Sequence, residues 1–158
     1  MKKLSIKQYI FILLTGIIAF LESCTPESCL DDTESFLEAS FYNYKTKNVQ
    51  VPDSITIYGV GRDTSKVYSS ALAIKVASLP LNPASTSSAF VVRINGISDT
   101  LSISHFSYPH LISKECGYTY YHEIYPDSLT FTKNTIDSIW IKNRIITTLD
   151  EENIRIFY

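Results

Sequence analysis

The sequence predicts an all-β protein: a single antiparallel β-sandwich, immunoglobulin-like or similar, of about eight strands after an N-terminal signal peptide. Apolar and polar residues alternate at period two in many short segments, and turn residues separate these segments at intervals of about 8–12 residues. Strand-forming aromatic residues are abundant, with 11 Tyr and 8 Phe among 158 residues. An open β-barrel is the alternative architecture.

The composition is that of one ordinary domain. Hydrophobic residues make up 45 % of the chain, which is enough for a core and argues against disorder. The formal net charge is −2, and Lys and Arg form no continuous run. Because clustered basic side chains are what bind a phosphate backbone, the sequence predicts no nucleic-acid partner.

Residues 1–23 are predicted to be a signal peptide. Lys2, Lys3 and Lys7 give a basic start, and residues 9–21 are apolar apart from one Thr and one Gly. This run is shorter than the about 20 residues that a membrane-spanning helix needs, and it has the length of a signal-peptide core. An uncleaved anchor helix is the alternative, although no basic stop-transfer cluster follows the run.

Cys24 is the predicted lipidation site. Leu21 and Ser23 match a lipobox, the motif at which diacylglycerol is attached to a cysteine thiol, whereas Glu22 departs from the usual small or apolar residue. Each buried methylene of an acyl chain contributes about 0.8 kcal/mol to membrane binding. Residues 24–33 would then be a tether, and residues 34–158 the folded domain. The predicted location is the cell envelope, at the outer membrane, on its periplasmic or its surface side.

Two cysteines remain, and they are predicted to form a disulfide between Cys29 and Cys116. An even number of free cysteines in an exported protein favours pairing, and an oxidising compartment permits it. Closing so long a loop contributes about 4–5 kcal/mol in the chain-entropy account. Two separate buried thiols are the alternative.

The first half of the domain reads as strands at residues 35–44, 54–60 and 71–76. In the first of these, Leu37, Ala39 and Phe41 share one face, as in a half-buried strand. Residues 79–83 contain two prolines and are predicted to be an edge or a loop, because Pro cannot donate to a strand ladder.

The second half is predicted to begin with a tight hairpin at Asn95-Gly96, between strands at residues 90–95 and 99–106. Residues 108–114 are predicted to bend the chain into a strand at residues 118–125, which Pro126-Asp127 ends. A second hairpin is predicted from residues 136–142 and 145–148, and residues 154–158 are the last strand.

No catalytic, cofactor or metal site is predicted. His105 and His110 differ by an odd number and would point to opposite faces of one strand, so they make a poor metal pair. On a strand, Cys116 and His122 would lie about 20 Å apart, too far for the base to activate the thiol. Glu115 and Glu123 would be about 26 Å apart, whereas glycosidase carboxylates act within about 10 Å.

Exposed aromatic residues are the remaining candidates for binding. Tyr118, Tyr120, Tyr121 and Trp140 could stack on sugar rings or pack against a protein partner. The alternative is ordinary filling of the sandwich, with the hydroxyl groups reaching the surface.

Several segments resemble an uncharacterised family of predicted lipoproteins from Bacteroidota, the domain of unknown function 6452. The segments are ISKECGY at residues 112–118, LPL at 79–81, DTL at 99–101 and ENIRI at 152–156. The resemblance implies an exported, lipid-anchored β-domain and no assigned activity. The export signal, the anchor cysteine, the strand pattern and the lack of catalytic spacing predict a non-enzymatic, lipid-anchored module of the cell envelope that binds or supports an envelope protein or glycan. A glycan-binding lipoprotein that uses exposed Tyr and Trp is one alternative, and a hydrolase with an unrecognised site is another.

Overall fold

The computed structural model describes Lys7 and residues 29–158. The chain divides into two compact units, Met1–Leu30 and Asp31–Tyr158, and ten strands belong to the second. They are β1 Phe36–Tyr42, β2 Ile55–Gly59, β3 Lys66–Ala71, β4 Val76–Pro80, β5 Ser87–Ile94, β6 Ile97–Ser113, β7 Gly117–Phe131, β8 Ser138–Ile141, β9 Ile145–Ile146 and β10 Glu152–Phe157.

The strands form two sheets, and the predicted all-β sandwich is confirmed. The four-stranded sheet has the order β4-β1-β10-β8, and the six-stranded sheet has the order β3-β2-β5-β6-β7-β9. Neighbouring strands are antiparallel except β1 and β10, which pair in parallel at the centre of the smaller sheet.

The core contains the inward-facing residues of alternating strands. Leu37, Ala39 and Phe41 of β1 are fully buried, which confirms the face predicted for this strand. From the larger sheet, β5 contributes Phe90 and Val92 in the same alternating pattern. Strand alternation places the intervening side chains on the outer faces, although Glu38 and Ser40 of β1 are buried there as well.

The hairpin between β5 and β6 is the one predicted at Asn95-Gly96. Both residues have positive φ, 50° at Asn95 and 90° at Gly96. A two-residue turn with positive φ at both positions follows the right-handed twist of the strands, and Asn-Gly is the preferred sequence for it. This turn sets the register of Phe90 against Leu101.

The β6–β7 hairpin is much longer than predicted. Residues 108–114 were expected to bend the chain, and Pro126 was expected to end a strand. Pro109 lies inside β6, at a point where β6 has passed the end of β5 and pairs only with β7. Its missing N–H therefore falls on an open edge, where no ladder hydrogen bond is lost. Pro126 lies inside β7 beside Asp127, which has a φ of 52°, at a register shift opposite Ile103 and His105. Bulges of this kind accept proline.

Two other predicted elements are wrong. The strand expected at residues 71–76 is instead the connection between β3 and β4, with Ala73 at a φ of 58°. The hairpin expected around Asn143 does not form, because β8 pairs with β10 in the smaller sheet and β9 pairs with β7 in the larger one. Short apolar runs carry no information on which distant strand they join.

The segment between β7 and β8 is held by Asp99, which is only 1 % exposed. Its carboxylate accepts hydrogen bonds from the Thr132 hydroxyl and from the backbone N–H groups of Asn134, Thr135 and Ile136. Burial raises the pKa of Asp99, but these hydrogen bonds outweigh it and lower the pKa below its ordinary value. Asp99 thereby fixes the path by which the chain crosses from one sheet to the other.

The predicted signal peptide at residues 1–23, apart from Lys7, and the predicted lipidation site Cys24 lie outside the described residues. Within the part of the chain that the structure describes, no helix is long and apolar enough to cross a membrane.

Candidate functional site

The four aromatic residues predicted to face a ligand lie on three different surfaces. Tyr118 and Tyr120 share one face of β7, and Tyr121 lies on the opposite face. Trp140 is on β8, in the other sheet. Tyr118, Tyr120 and Trp140 are 73 %, 48 % and 55 % exposed, whereas Tyr121 is half-buried.

Trp140 lies on the outer face of the four-stranded sheet, because its neighbours face the other way. Ile139 and Ile141 pack against the core, so the residue between them points outward. The same alternation on β10 buries Ile154 and Ile156 and turns Arg155 outward. Arg155 is directly paired with Trp140, so the two side chains meet on this face.

Five side chains form a continuous row across this face: Trp140, Arg155, Tyr42, Phe157 and Lys47, here called the aromatic–cation row. The Arg155 guanidinium lies between two rings, 5.1 Å from the Trp140 centroid and 4.9 Å from the Tyr42 centroid. The Tyr42 and Phe157 rings are 5.5 Å apart, and Lys47 Nζ is 4.6 Å from the Phe157 centroid. Each cation is within the range at which the ring quadrupole attracts it.

Glu152 holds the centre of the row in place. Its carboxylate accepts hydrogen bonds from Arg155 Nε at 2.9 Å and from the Tyr42 hydroxyl at 2.9 Å, and it forms an ion pair with Lys142 at 2.8 Å. Burial raises the pKa of Glu152, but the hydrogen bonds from Arg155, Lys142 and Tyr42 outweigh it and lower the pKa to about 2. The carboxylate is therefore charged at neutral pH and fixes the Arg155 side chain.

The face around the row carries charges of both signs, because Glu38 lies on the same side of β1 as Tyr42. Arg155, Lys47 and Lys142 each carry a positive charge, and Glu152 is the one carboxylate that these residues contact in the described ion pairs and ring contacts. An exposed Trp beside a prearranged Arg forms a surface suited to an acidic or polyhydroxylated ligand.

A second polar cluster, buried except for the half-buried Ser107, was not predicted. Ser88, His105, Ser107 and His122 form a chain, here called the buried Ser–His chain. Ser88 Oγ is 3.0 Å from His105 Nε2, His105 Nδ1 is 3.2 Å from Ser107 Oγ, and Ser107 Oγ is 2.8 Å from His122 Nδ1. Three neighbouring strands supply these residues, so only the register of β5, β6 and β7 brings them together.

The hydrogen bonds of the chain run in one direction. Ser88 Oγ accepts the Asn82 N–H at 3.0 Å, so its own hydrogen is free to be donated to His105 Nε2. His105 Nδ1 then donates to Ser107, and Ser107 donates to His122 Nδ1. This assignment requires both imidazoles to be neutral. Burial lowers the pKa of His105, and burial together with the neighbouring His105 lowers the pKa of His122 to about 4.

A serine beside a neutral histidine resembles a nucleophile with its base, and Ser88 lines a cavity of about 450 Å³ with Arg62 and Asn82. The details favour a structural role. Ser88 is 8 % exposed, and His105 is fully buried. The far nitrogen of His105 meets a hydroxyl, where a catalytic triad has a group that stabilises the imidazolium. The buried Ser–His chain therefore does not supply the reactive, accessible nucleophile that the predicted hydrolase alternative would need.

His110 lies apart from the other two histidines, on the outer face of the β6–β7 hairpin. Its ring stacks on Tyr121 at 4.1 Å, and Tyr121 meets Tyr108 at 6.2 Å. The predicted opposite faces of His105 and His110 are therefore confirmed. Rings that stack on each other in this way offer their edges to solvent, so Tyr121 provides no flat surface for a ligand.

Cys29 and Cys116 are both disulfide-bonded, which fits the predicted bridge. Among Lys7 and residues 29–158, no group of three or more His, Cys, Asp or Glu side chains is arranged to hold a metal ion. A disulfide-bonded Cys116 has no thiolate for a histidine to activate.

Residues 54–158, about two thirds of the 158-residue chain, match a protein family described as a family of unknown function (DUF6452), and the chain belongs to that family. No curated protein and no solved structure matches the chain significantly. The family description assigns no activity to any residue.

Proposed function

We propose that this member of a family of unknown function is a non-enzymatic, lipid-anchored module of the cell envelope that binds an acidic protein partner through the aromatic–cation row. One observation carries the proposal: Trp140 is 55 % exposed beside an arginine that other side chains already hold in place. Trp, Tyr and Arg are the residue types that dominate binding energy at protein interfaces.

Preorganisation is the reason that this face is preferred to the others. Ordering a long side chain during association costs about 0.5–1.5 kcal/mol. Arg155 is already fixed by Glu152 at 2.9 Å and by the two flanking rings. A partner therefore meets an ordered surface, and the cations of the row, Arg155 and Lys47, favour an acidic patch on that partner.

The anchor and the location are proposed from the sequence. Cys24 would carry the acyl chains, and the domain would be held at the outer membrane. Labelling cells with a radioactive fatty acid tests this point. We expect label on the wild-type chain and none on Cys24→Ala; an unlabelled wild-type chain, or equal label on both, contradicts the anchor.

The partner can be sought by photo-crosslinking the full chain in its native cells. A photoreactive residue at position 138, two residues before Trp140 on the outer side of β8, leaves the row intact and is expected to capture one acidic envelope protein. The same group at position 104, on the outer side of β6 in the other sheet, is the matched control, because Ser138 and Ser104 are both half-buried. Arg155→Ala should lower the yield at position 138 about tenfold, because the row loses its central cation. Equal capture from both positions contradicts the proposed surface.

A glycan partner is the second candidate, because one face of an exposed indole can stack on a sugar ring. The chain has a single Trp, so its fluorescence reports on Trp140 alone. Saturable quenching or a spectral shift with soluble envelope polysaccharide fragments would favour the glycan, whereas an unchanged spectrum would exclude stacking at this residue.

A further inference from the structure

We infer that the tip of the β6–β7 hairpin lies against the lipid surface to which the chain is anchored, through a face formed by Leu111, Tyr118 and Tyr120. This inference rests on the proposed lipid anchor and adds a second, non-covalent membrane contact to it. The face is here called the tip face.

The tip face is apolar and exposed. Leu111 pairs directly with Tyr118, and Pro109 pairs with Tyr120, so these side chains lie together on one side of the two strands. Leu111, Tyr118 and Tyr120 are 47 %, 73 % and 48 % exposed. Further along β7 on the same side, His122 and Ile124 are buried in the core. The tip thus continues the inward face of the sheet beyond the end of the core.

The contacts of Thr33 and Ser35 limit how far from the tip the predicted anchor can lie. The Thr119 hydroxyl donates to the Thr33 carbonyl at 2.6 Å, and the Ser35 hydroxyl donates to the Tyr120 carbonyl. The segment that leads toward Cys24 therefore leaves the fold alongside the tip. Between Cys24 and Thr33 the chain can span at most about 30 Å, so an acylated Cys24 would keep the tip within that distance of the lipid.

The chemistry of the face suits the membrane interface. Tyrosine has an apolar ring and a hydroxyl that can meet headgroups and water, and it is enriched at the boundary between lipid and water. Leu111 adds an aliphatic side chain that gains from leaving water. The rings of Tyr118 and Tyr120 make no ring–ring or cation contact with the described residues, so they remain available for this contact.

Charge around the tip selects the lipid. Asp31, Asp32, Glu34 and Glu115 lie in the adjoining segment and turn, against one cation at Lys114. An acidic surround repels anionic headgroups and tolerates zwitterionic ones. Contact should therefore be strongest on phosphatidylcholine or phosphatidylethanolamine and should weaken as anionic lipid is added, with salt reducing the difference.

Fluorescence quenching by brominated lipid tests the inference on the full acylated chain in phosphatidylcholine vesicles. The wild-type chain has only Trp140, which lies on the other sheet and serves as the control. The variant Tyr118→Trp combined with Trp140→Phe moves the indole to the tip. We expect quenching about threefold stronger in the variant, because the tip lies at headgroup depth.

Iodination of the unmodified chain with a water-soluble reagent gives a second measurement that needs no substitution. Tyr118 is 73 % exposed and Tyr125 is 42 % exposed, so in water Tyr118 should react faster. On vesicles we expect the order to reverse. Equal quenching of the two indoles, with Tyr118 still reacting faster, would overturn the inference and leave the tip face to a protein or glycan.

Flotation with the vesicles separates this inference from the proposed anchor. A chain that floats while Cys24→Ala does not is anchored, and equal quenching then overturns the membrane contact of the tip alone. A wild-type chain that fails to float overturns the anchor and the tip contact together.

Discussion

The aromatic–cation row and the buried Ser–His chain are built from similar parts and differ in what can reach them. Each links side chains from several strands, the row through ring and cation–π contacts and the chain through hydrogen bonds. Each arises where strand alternation turns residues of neighbouring strands to the same side. Trp140 in the row is 55 % exposed, whereas His105 in the chain is fully buried. The same kind of connectivity therefore yields a binding surface in one place and a structural element in the other.

The two clusters are expected to contribute to different free energies, the Ser–His chain to that of folding and the row to that of binding. In the interior, an unpaired polar atom has no water to replace its lost partner, so each link of the Ser–His chain bears on stability. On the outer face, water can solvate any group that loses a partner, and contacts within the row change stability little. We expect substitutions in the chain to act on folding and substitutions in the row to act on binding.

The largest effect is expected for Ser107→Ala. The substitution leaves nitrogens of both His105 and His122 without their hydrogen-bond partner in the interior, at about 1–3 kcal/mol for each buried group. We expect the free energy of unfolding to fall by about 2–5 kcal/mol, measured by urea denaturation. Ser104→Ala, on the outer side of the same strand, is the control and should stay within about 0.5 kcal/mol. Equal losses of unfolding free energy in the two variants would contradict a structural role for the Ser–His chain.

Acid should destabilise the protein through His122. Its pKa is about 4 in the fold, against an ordinary value of 6.5, so the unfolded chain binds more protons between those values. Stability should therefore be fully present above pH 6.5 and fall by about 3 kcal/mol as the pH drops to 4. His122→Gln should have a flatter profile in this window, and the exposed His110→Gln should keep the wild-type slope. Parallel profiles of stability against pH in all three proteins would contradict the burial of His122 as a neutral imidazole.

Glu152→Gln should have a smaller effect on stability. The carboxylate has a pKa of about 2 against an ordinary 4.5, so its contribution should be present above pH 4.5 and lost as the pH falls toward 2. At neutral pH we expect a loss of about 1–3 kcal/mol. The surface pair of Glu123 with Arg144 is 40 % and 43 % exposed, and Glu123→Gln should cost less than about 1 kcal/mol. Urea denaturation at pH 7 and pH 3 measures both, and a Glu152→Gln deficit that persists unchanged at pH 3 would contradict the assignment.

The smallest change in stability is expected for Trp140→Ala. The indole is exposed and contributes one cation–π contact, at about 0.5–1 kcal/mol. The melting temperature should therefore fall by only a few degrees, while binding to the partner is lost. A large loss of stability would show that Trp140 acts on folding, as the Ser–His chain does, and would remove the main support for the proposed surface.

Local signals in the sequence predicted local structure well. The Asn95-Gly96 turn and the buried face of Leu37, Ala39 and Phe41 follow from residue chemistry and period alone. The same parity argument placed His105 and His110 on opposite faces. These features depend on a few neighbouring residues, so no information about distant strands is needed.

The candidate sites depended on pairings that local patterns do not encode. The row requires β10 to lie between β1 and β8, and the Ser–His chain requires the register of three strands. Residues 108–114, which include Pro109, were expected to bend the chain, and Pro126 was expected to end a strand. The effect of each proline depends on whether an edge or a bulge is present. Among the four predicted aromatic residues, the local sequence does not show that Trp140 lies beside Arg155 while the tyrosines lie in the other sheet.

The parallel pairing of β1 and β10 has a consequence for when the domain can fold. The Glu38 N–H donates to the Asn153 side chain across a separation of 115 residues. The four-stranded sheet therefore cannot form around β1 until β10 is available to pair with it. Contacts this distant in sequence make folding slow, in the range of milliseconds to seconds. If the chain is exported as proposed, we expect it to remain open during translocation and to complete its smaller sheet only after residue 157 has been released.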